Sequence, residues 1–139
     1  MRYWVGVASK EHVDRGVAGG FAQVCHGKKE PLKRMQRGDI LIYYAPTIRF
    51  GGKEKCRQFV ALGRVVGDVY QVEMTPDFHP YRIDVAYYPC KAVSLHDVKE
   101  SLTFPMVYFR RGLFPIDLVD CNSIVNAMDV DEKVLSDPI

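Results

Sequence analysis

No stretch of this 139-residue chain is apolar for long enough to cross a bilayer, which takes about 20 consecutive apolar residues. One of its longer apolar runs, from Ile40 to Pro46, is far shorter. The first residues also lack the long apolar segment of a secretory signal, and an acidic residue, Glu11, follows early. These absences lead us to expect a cytoplasmic protein with no membrane partner.

Closely spaced cysteines are also missing. The four cysteines are Cys25, Cys56, Cys90 and Cys121. Structural zinc sites are typically built from close pairs of ligands, and disulfide frameworks are typical of small secreted chains. The histidines show no ligand spacing on one element either. We therefore expect reduced, mostly buried thiols, with no metal and no cofactor.

The glycine-rich region at residues 19–35 lacks the known phosphate-binding motifs. Its glycines have the wrong spacing for a dinucleotide fingerprint, and a P-loop would need glycine at Ala22 and a hydroxyl residue at Lys29. Metalloprotease and esterase motifs are absent from the chain as well. Neighbouring strand residues point to opposite faces, which makes Cys25 and His26 a poor nucleophilic pair. We assign no catalytic residue.

What the chain does contain is a series of strand and helix patterns. The predicted strands are residues 2–9, 40–45, 58–67, 70–74, 80–89 and 106–116. The predicted helices are residues 10–17, 31–36, 94–102 and 118–129. Ser9 and Ser94 are suited to cap the first and third helices. Because short turns join strands in mid-chain, we expect an α+β fold, a mostly antiparallel sheet of about six strands curled into an open barrel with short flanking helices.

The net charge is only +2, but the charges are unevenly placed. The segment from Asp117 onward holds six acidic residues and one lysine, whereas residues 28–37 hold five basic residues and one glutamate. A basic patch attracts polyanions, although a solvated helix face is the commoner explanation of one charge run. Residues 47–57 are polar, basic and split by glycines, which predicts a flexible loop. The tail from Val130 onward is expected to fray.

Aromatic residues are frequent along the predicted strands. Aromatic rings can sandwich a planar base, while amides and hydroxyls read its edge. Most rings on strands belong to the core, so each is only a candidate for stacking. The candidates are Trp4, Phe21, Tyr43, Tyr44, Tyr87, Tyr88, Phe109 and Phe114.

Three motifs taken together resemble the EVE domain family. They are S-x-x-H-V from Ser9, G-F-A-Q-x-x-H-G-K from Gly20, and R-x-G-L-F from Arg110. The likeness implies one EVE domain over residues 1–128, followed by an acidic tail over residues 129–139. EVE domains belong to the PUA-like group, beside the YTH and ASCH domains. The resemblance implies a small barrel-like fold with a pocket for a single, often modified, nucleobase flipped out of DNA or RNA.

The resemblance also implies roles for individual residues. YTH readers hold a methylated adenine in an aromatic cage, and Phe21 stands where a tryptophan of that cage would be. Ser9 falls in the segment that reads the base edge, and Val85 falls near a second aromatic of the cage. Because Val85 is aliphatic, a modified pyrimidine fits as well as a methyladenine.

Our first hypothesis is a module that binds a modified base. Ligand contacts are predicted for Trp4, Ser9, Lys10, His12, Phe21, Gln23, His26, Lys28, Tyr44, Val85 and Arg110. Phosphate contacts, which position a strand without reading it, are predicted for Lys29, Lys33, Arg34 and Arg111. The partners would be DNA or RNA containing modified bases, together with nucleases or RNA-modification proteins.

Two alternatives stay open. The first is a hydrolase that removes a group from a modified nucleobase or nucleoside on the same scaffold, with Lys10, His12 or His26 as general base. The second is a protein-interaction adaptor that uses the acidic C-terminal helix and tail. The binding module has the most support from the sequence.

Overall fold

The computed structural model describes residues 1–136, which fold around one mixed sheet of eight strands. The strands are β1 (Tyr3–Val7), β2 (Phe21–Ala22), β3 (Ile40–Thr47), β4 (Lys55–Val65), β5 (Tyr70–Gln71), β6 (Tyr81–Tyr87), β7 (Val93–Ser94) and β8 (Leu113–Ile116). The α-helices are α1 (Lys10–Gly19), α2 (Lys29–Lys33), α3 (Leu95–Val98) and α4 (Leu118–Ala127). Segments of 3₁₀ helix cover Cys25–Gly27, Lys99–Ser101, Met106–Arg111 and Glu132–Ser136.

The strand order is β2-β6-β4-β3-β1-β8, with β5 beside β6 and β7 beside β4. The pairings are antiparallel except that β1 and β3 run parallel, with Tyr3 opposite Ile40. The sheet forms a half-barrel flanked by short helices, so the predicted α+β open barrel is confirmed. The described residues hold more strands than predicted because β2 and β7 have two residues each and cannot show alternation.

β3 is buried on both faces, which explains its continuous apolar sequence. Ile40 and Ile42 face one core, which is covered by α4. Leu41 and Tyr43 face a second core on the other side, which α1 and α2 close with Val13 and other residues. The central strands are therefore fixed in register by two cores at once.

The first helix begins at the residue that its sequence predicts and runs two residues past the predicted end. The Ser9 side chain accepts a hydrogen bond from the backbone N–H of His12 at 3.3 Å, which caps α1. Gly20 ends the helix with a left-handed φ of 73°. In the same way Ser94 caps α3 by accepting from the N–H of His96 at 3.2 Å.

The strand predicted from residue 106 begins only at Leu113. Residues Met106–Arg111 form a 3₁₀ segment instead. The reason lies in packing, because the Phe109 ring stacks on Tyr44 with 4.0 Å between ring centroids. Contact with the core overrides the β propensity of these residues.

The acidic tail packs against the barrel up to Ser136, so the prediction that it frays from Val130 was wrong for the described residues. Leu135 is only 2% exposed. The buried guanidinium of Arg64 donates to the carbonyl oxygens of Val134 and Leu135, each at 2.9 Å. Residues 137–139 of the predicted tail lie outside the described residues. Within residues 1–136, no helix combines the length and apolar character of a membrane span.

Candidate functional site

A cavity of about 610 Å³ opens at the end of the barrel where β1 and β3 finish, beside Val7 and Pro46. This volume lies in the range of about 300–1,000 Å³ that is usual for small-molecule sites. Its walls come from the start of α1, the residues after β2, the loops that carry Phe50 and Phe78, and the 3₁₀ segment that carries Phe109. Distant parts of the chain therefore meet in one concave site.

The most buried polar residues of the cavity, Ser9, His12 and Gln23, form what we call its polar floor. Gln23 is fixed by the buried Tyr43 hydroxyl, which donates to the Gln23 carbonyl at 3.0 Å and accepts from the Gln23 N–H at 3.2 Å. The same carbonyl lies 2.9 Å from Nε2 of His12. Since a carbonyl only accepts, Nε2 carries the proton and Nδ1 is left as an acceptor.

Burial lowers the pKa of His12 below its ordinary value of 6.5, although the hydrogen bond to Gln23 acts in the opposite direction. The imidazole is therefore neutral at neutral pH. A neutral ring presents one acceptor rather than a second donor, which suits it to a hydrogen-bond donor on a ligand or to proton abstraction.

A turn of left-handed backbone follows the polar floor. Cys25, His26 and Gly27 have φ values of 49°, 61° and 82°, a conformation that costs energy for residues other than glycine. A Cβ atom at Gly27 would collide with Pro80, so only glycine fits there. The turn holds the exposed His26 against the cavity, where its ring meets the ring of Phe50 edge-on at 5.4 Å between centroids.

Cys25 also lines the cavity, but its thiol is not activated. Burial raises the pKa of the thiol above its ordinary value, and the nearby charges of Lys28 and Arg34 offset this only in part. A protonated thiol is a weak nucleophile, which agrees with leaving Cys25 out of catalysis. Among residues 1–136, His, Cys, Asp and Glu side chains form no group of three that could hold a metal ion.

The aromatic side of the cavity combines one fixed ring with an exposed rim. Phe109 is held by stacking on Tyr44 at an interplanar angle of 16°. The rim, which we call the apolar mouth, consists of Phe50, Met74 and Phe78, with exposures of 79%, 45% and 39%. A planar ligand thus meets a preorganised ring inside the cavity and apolar side chains at its entrance.

The charges around the cavity have one sign. Arg15 and Arg110 lie along it, and none of the described residues in its lining is acidic. Both arginines are exposed, and Arg15 pairs with Glu11 at 3.3 Å on α1. The local field therefore favours neutral or anionic ligands over cationic ones.

The sequence matches the family model of the EVE domain over residues 2–127. The chain belongs to the EVE domain family. It is 46% identical to the UPF0310 protein YdcG of Bacillus subtilis over 136 residues, which covers 93% of each chain. It is also 43% identical to a UPF0310 protein of Streptococcus mutans over 136 residues, covering 94% of this chain and 99% of that one. The resemblance noted from the motifs is confirmed.

Solved structures similar to this EVE domain include YTH domains. The YTH domain of Zygosaccharomyces rouxii MRB1, solved in complex with N6-methyladenosine RNA, matches with a TM-score of 0.66 and 14% identity, covering 90% of this chain and 84% of that one. A hypothetical protein from Leishmania major matches with a TM-score of 0.62 and 14% identity, covering 93% and 95% of the two chains. At such identities the likeness shows a shared fold.

The EVE domain brings several predicted ligand contacts together. The cavity is lined by Ser9, His12, Gln23, His26 and Arg110. These five residues belong to the motifs that carry the family resemblance. The motif segments lie beside strand ends and at the start of α1, where the cavity opens.

Three other predicted contacts lie in the core and do not line the cavity. Trp4 is fully buried, and its Nε1 donates to a carboxylate oxygen of Asp39 at 3.0 Å. Val85 is 3% exposed and faces the second core. Tyr44, at 4% exposure, lies behind Phe109 and supports it. These side chains pack between the layers, as most apolar residues on strands do.

Phe21 and Lys10 lie beside the cavity rather than in its lining. The Phe21 ring is covered by the guanidinium of Arg82, 3.9 Å from the ring centroid. Arg82 also donates to the side-chain oxygen of Gln23 at 3.1 Å, so Phe21 supports the polar floor from outside. Lys10 pairs with Asp14 at 2.8 Å in a shallow groove along α1.

The basic residues predicted to contact phosphates are all exposed. They are Lys29, Lys33, Arg34 and Arg111. Lys28, which is predicted as a ligand contact, is exposed as well and does not line the cavity. Lys29 and Arg34 lie over the rings of Tyr81 and Trp4, at 5.5 Å and 5.0 Å from the ring centroids. Their role toward a nucleic acid stays a prediction.

Reasoning from sequence missed the apolar mouth and Arg15. Phe50 and Phe78 are single aromatic residues within polar loops, outside the predicted strands. A loop aromatic has no core to enter, which is a signal for ligand contact that composition along the strands cannot give.

Proposed function

We propose that this EVE domain binds a single, modified nucleobase, flipped out of DNA or RNA, in the cavity. The observation that supports the proposal is one concave site holding both a fixed aromatic ring, Phe109, and the polar floor. A base has a flat face suited to the ring and an edge of donors and acceptors suited to Gln23 and His12.

The energetics require both kinds of contact. Stacking on one aromatic ring is worth about 1–3 kcal/mol, and flipping a paired base costs a few kcal/mol. Stacking alone would only compensate for the free-energy cost of flipping the base. The net affinity must therefore come from hydrogen bonds to the base edge and from apolar contacts. Met74 and Phe78 at the mouth could cover an added alkyl group, which supports a modified base.

The charge of the site supports a nucleic acid over a free cation. Arg110 lies at the cavity, next to Arg111, and the basic residues 28–34 follow the His26 turn. Phosphates of a bound strand would find basic side chains close to the flipped base. These contacts fix the position of the strand without reading its sequence.

The experiment compares single-stranded oligonucleotides that differ only in one central base, across a panel of natural and modified bases, by fluorescence anisotropy. The wild type should prefer at least one modified base by about tenfold or more. His26→Asn keeps a residue that tolerates left-handed backbone and removes the imidazole, and Phe78→Ala opens the mouth. Each should weaken that preferred complex about fivefold to tenfold, as expected from loss of one hydrogen bond or apolar contact.

Tyr70→Ala is the matched control, since it removes an exposed aromatic ring outside the cavity lining. It should change the affinity less than twofold. Equal affinity for every base in the panel would overturn the proposal. If Phe21→Ala weakened binding of the preferred oligonucleotide as much as Phe78→Ala, the stacking contact would belong to Phe21.

A hydrolase on the same site is the second candidate, and the observation that favours it is the neutral imidazole of His12 with Nδ1 as an acceptor. Such a group can act as a general base toward water. Mass spectrometry of the same incubations decides between the two. A mass change in one modified base that is lost in His12→Gln would establish hydrolysis, and unchanged masses throughout would leave binding.

A further inference from the structure

The loop between β3 and β4 carries Phe50 to one side of the cavity entrance. Together with the first three residues of β4 it makes up residues 48–57, which we call the basic arm. Its loop is closed by the Ile48 N–H, which donates to the Glu54 carbonyl at 3.1 Å. The Ile48 carbonyl accepts from the N–H of Glu11 at 2.9 Å, which ties the arm to the first turn of α1. The arm is thus anchored beside the cavity rather than detached from it.

The basic arm carries a strong excess of positive charge. Arg49, Lys53, Lys55 and Arg57 stand against one acidic residue, Glu54, and all five are exposed. Arg49 lies 3.5 Å from a carboxylate oxygen of α1. None of the ion pairs formed within residues 1–136 includes the other three cations. Three cations therefore project from the arm with no acidic partner among the residues that the structure describes.

An aromatic ring lies among these charges. Phe50 is 79% exposed, more than any other large apolar side chain in the described part of the chain. The rings of Phe50 and His26 meet edge-on, with 5.4 Å between their centroids. Phe50 also lines the cavity entrance. Aromatic rings interleaved with Lys and Arg are typical of surfaces that bind single-stranded nucleic acid.

The position of Phe50 gives this ring a specific use. When one base leaves the stack to enter a cavity, its neighbour in the strand loses a stacking partner. A ring at the cavity entrance can replace that partner. The cations farther along the arm are then placed to meet the phosphates that follow.

We infer that the basic arm is a second nucleic-acid contact of the domain. Phe50 stacks on the nucleotide next to the flipped base, and Lys53, Lys55 and Arg57 bind phosphates of the same single strand. This inference rests on the proposed function for the flipped base, but the arm's own contacts do not depend on which base is flipped.

The test measures binding of 12-nucleotide oligo(dT), oligo(dA) and a 12-mer carrying the preferred modified base, each over a series of salt concentrations. Phe50→Ala should weaken binding of all three oligonucleotides about fivefold to a hundredfold, as expected for one lost base stack. Its effect on the affinity for the modified base as a free nucleoside should be smaller, because a free nucleoside has no neighbouring base to stack on Phe50. Because Phe50 is exposed, its removal leaves the core intact.

The charge contacts are tested by K53Q/K55Q/R57Q. Three lost phosphate contacts should flatten the slope of log affinity against log salt by about 2, since each contact to a single strand contributes about 0.7. K91Q/K99Q/K133Q is the matched control, because it removes three exposed lysines outside the arm. The control should leave the slope unchanged.

The outcomes separate the two proposals. Base-dependent binding that is insensitive to both arm variants would overturn the arm and leave the proposed function standing. Base-independent binding that both arm variants weaken would support the arm and overturn the proposed function. If Phe50→Ala weakened binding of the free nucleoside as much as binding of the oligonucleotides, the inference about the arm would also be overturned. The same holds if K91Q/K99Q/K133Q flattened the salt slope as much as K53Q/K55Q/R57Q.

Discussion

Replacing Gly27 by alanine tests whether the turn that carries His26 is confined by the cavity wall. Gly27 has a φ of 82°, and a left-handed alanine costs about 1–2 kcal/mol. The new Cβ would also collide with Pro80, and overpacking of this kind costs about 1–3 kcal/mol. The free energy of unfolding should therefore fall by about 2–5 kcal/mol.

Gly38→Ala supplies the matched control. Gly38 has a φ of 94°, but no atom lies within 4 Å of where its Cβ would be. Only the backbone cost of about 1–2 kcal/mol applies to it. The difference between the two variants, about 1–3 kcal/mol, isolates the contact with Pro80.

Urea unfolding followed by tryptophan fluorescence measures both variants, because Trp4 is the single tryptophan and is fully buried. The slope of free energy against urea should stay constant, so that midpoints report stability. At temperatures where both variants are folded, Gly27→Ala should also bind the preferred oligonucleotide more weakly than Gly38→Ala. Equal losses of stability in the two variants would refute the idea that Pro80 confines the turn.

Two further predictions concern buried groups. Arg64→Met should destabilise the fold by about 2–4 kcal/mol and speed amide hydrogen exchange over residues 132–136. Arg37→Met breaks an exposed pair with Asp68 and should leave the stability almost unchanged. The pKa of His12 is lower in the folded chain than in the unfolded chain, so the unfolded chain binds a proton first as the pH falls. The contribution of His12 to the free energy of unfolding should therefore be fully present above pH 6.5 and decline below it. In His12→Gln that decline should be smaller, and an unchanged decline would contradict the pKa shift.

The elements with local signals could be predicted from sequence. Ser9 caps α1 because the first N–H groups of a helix have no backbone partner, and a hydroxyl just before the helix can accept from one of them wherever the helix lies in the fold. The alternation of Ile83 and Val85 with exposed Asp84 in β6 follows from the two-residue repeat of a strand. Such features depend on neighbours in the chain, which the sequence displays directly.

Features that depend on tertiary packing could not be predicted in this way. Phe109 belongs to a segment of strand-forming residues, yet it leaves the sheet because Tyr44 and its neighbours offer it a larger apolar contact. The acidic composition of the tail predicts fraying, but Leu135 packs into the first core and its carbonyl accepts from the guanidinium of Arg64. Neither partner is near in sequence.

The candidate site was predictable to the extent that motif residues line it. Ser9 and His12 reach the cavity because they follow the end of β1, a strand that the sequence indicates, whereas His26 follows β2, which is too short to be recognised from sequence. Trp4 and Phe21 were named for stacking from their residue type, but type alone does not tell which face of a strand a side chain occupies. The apolar mouth comes from loops whose paths only the fold determines.

The guanidinium of Arg64 also brings Met1 together with residues 134–135, near the end of the described part of the chain. It donates to the Gly38 carbonyl at 3.2 Å and lies 3.5 Å from the sulfur of Met1, while it holds Val134 and Leu135. This junction lies where β3 begins, whereas the cavity lies where β3 ends, about 25 Å away for eight residues of strand. Attaching the domain to a surface through residues near Met1 or Leu135 would therefore leave the entrance, on the opposite side, open to a large polymer.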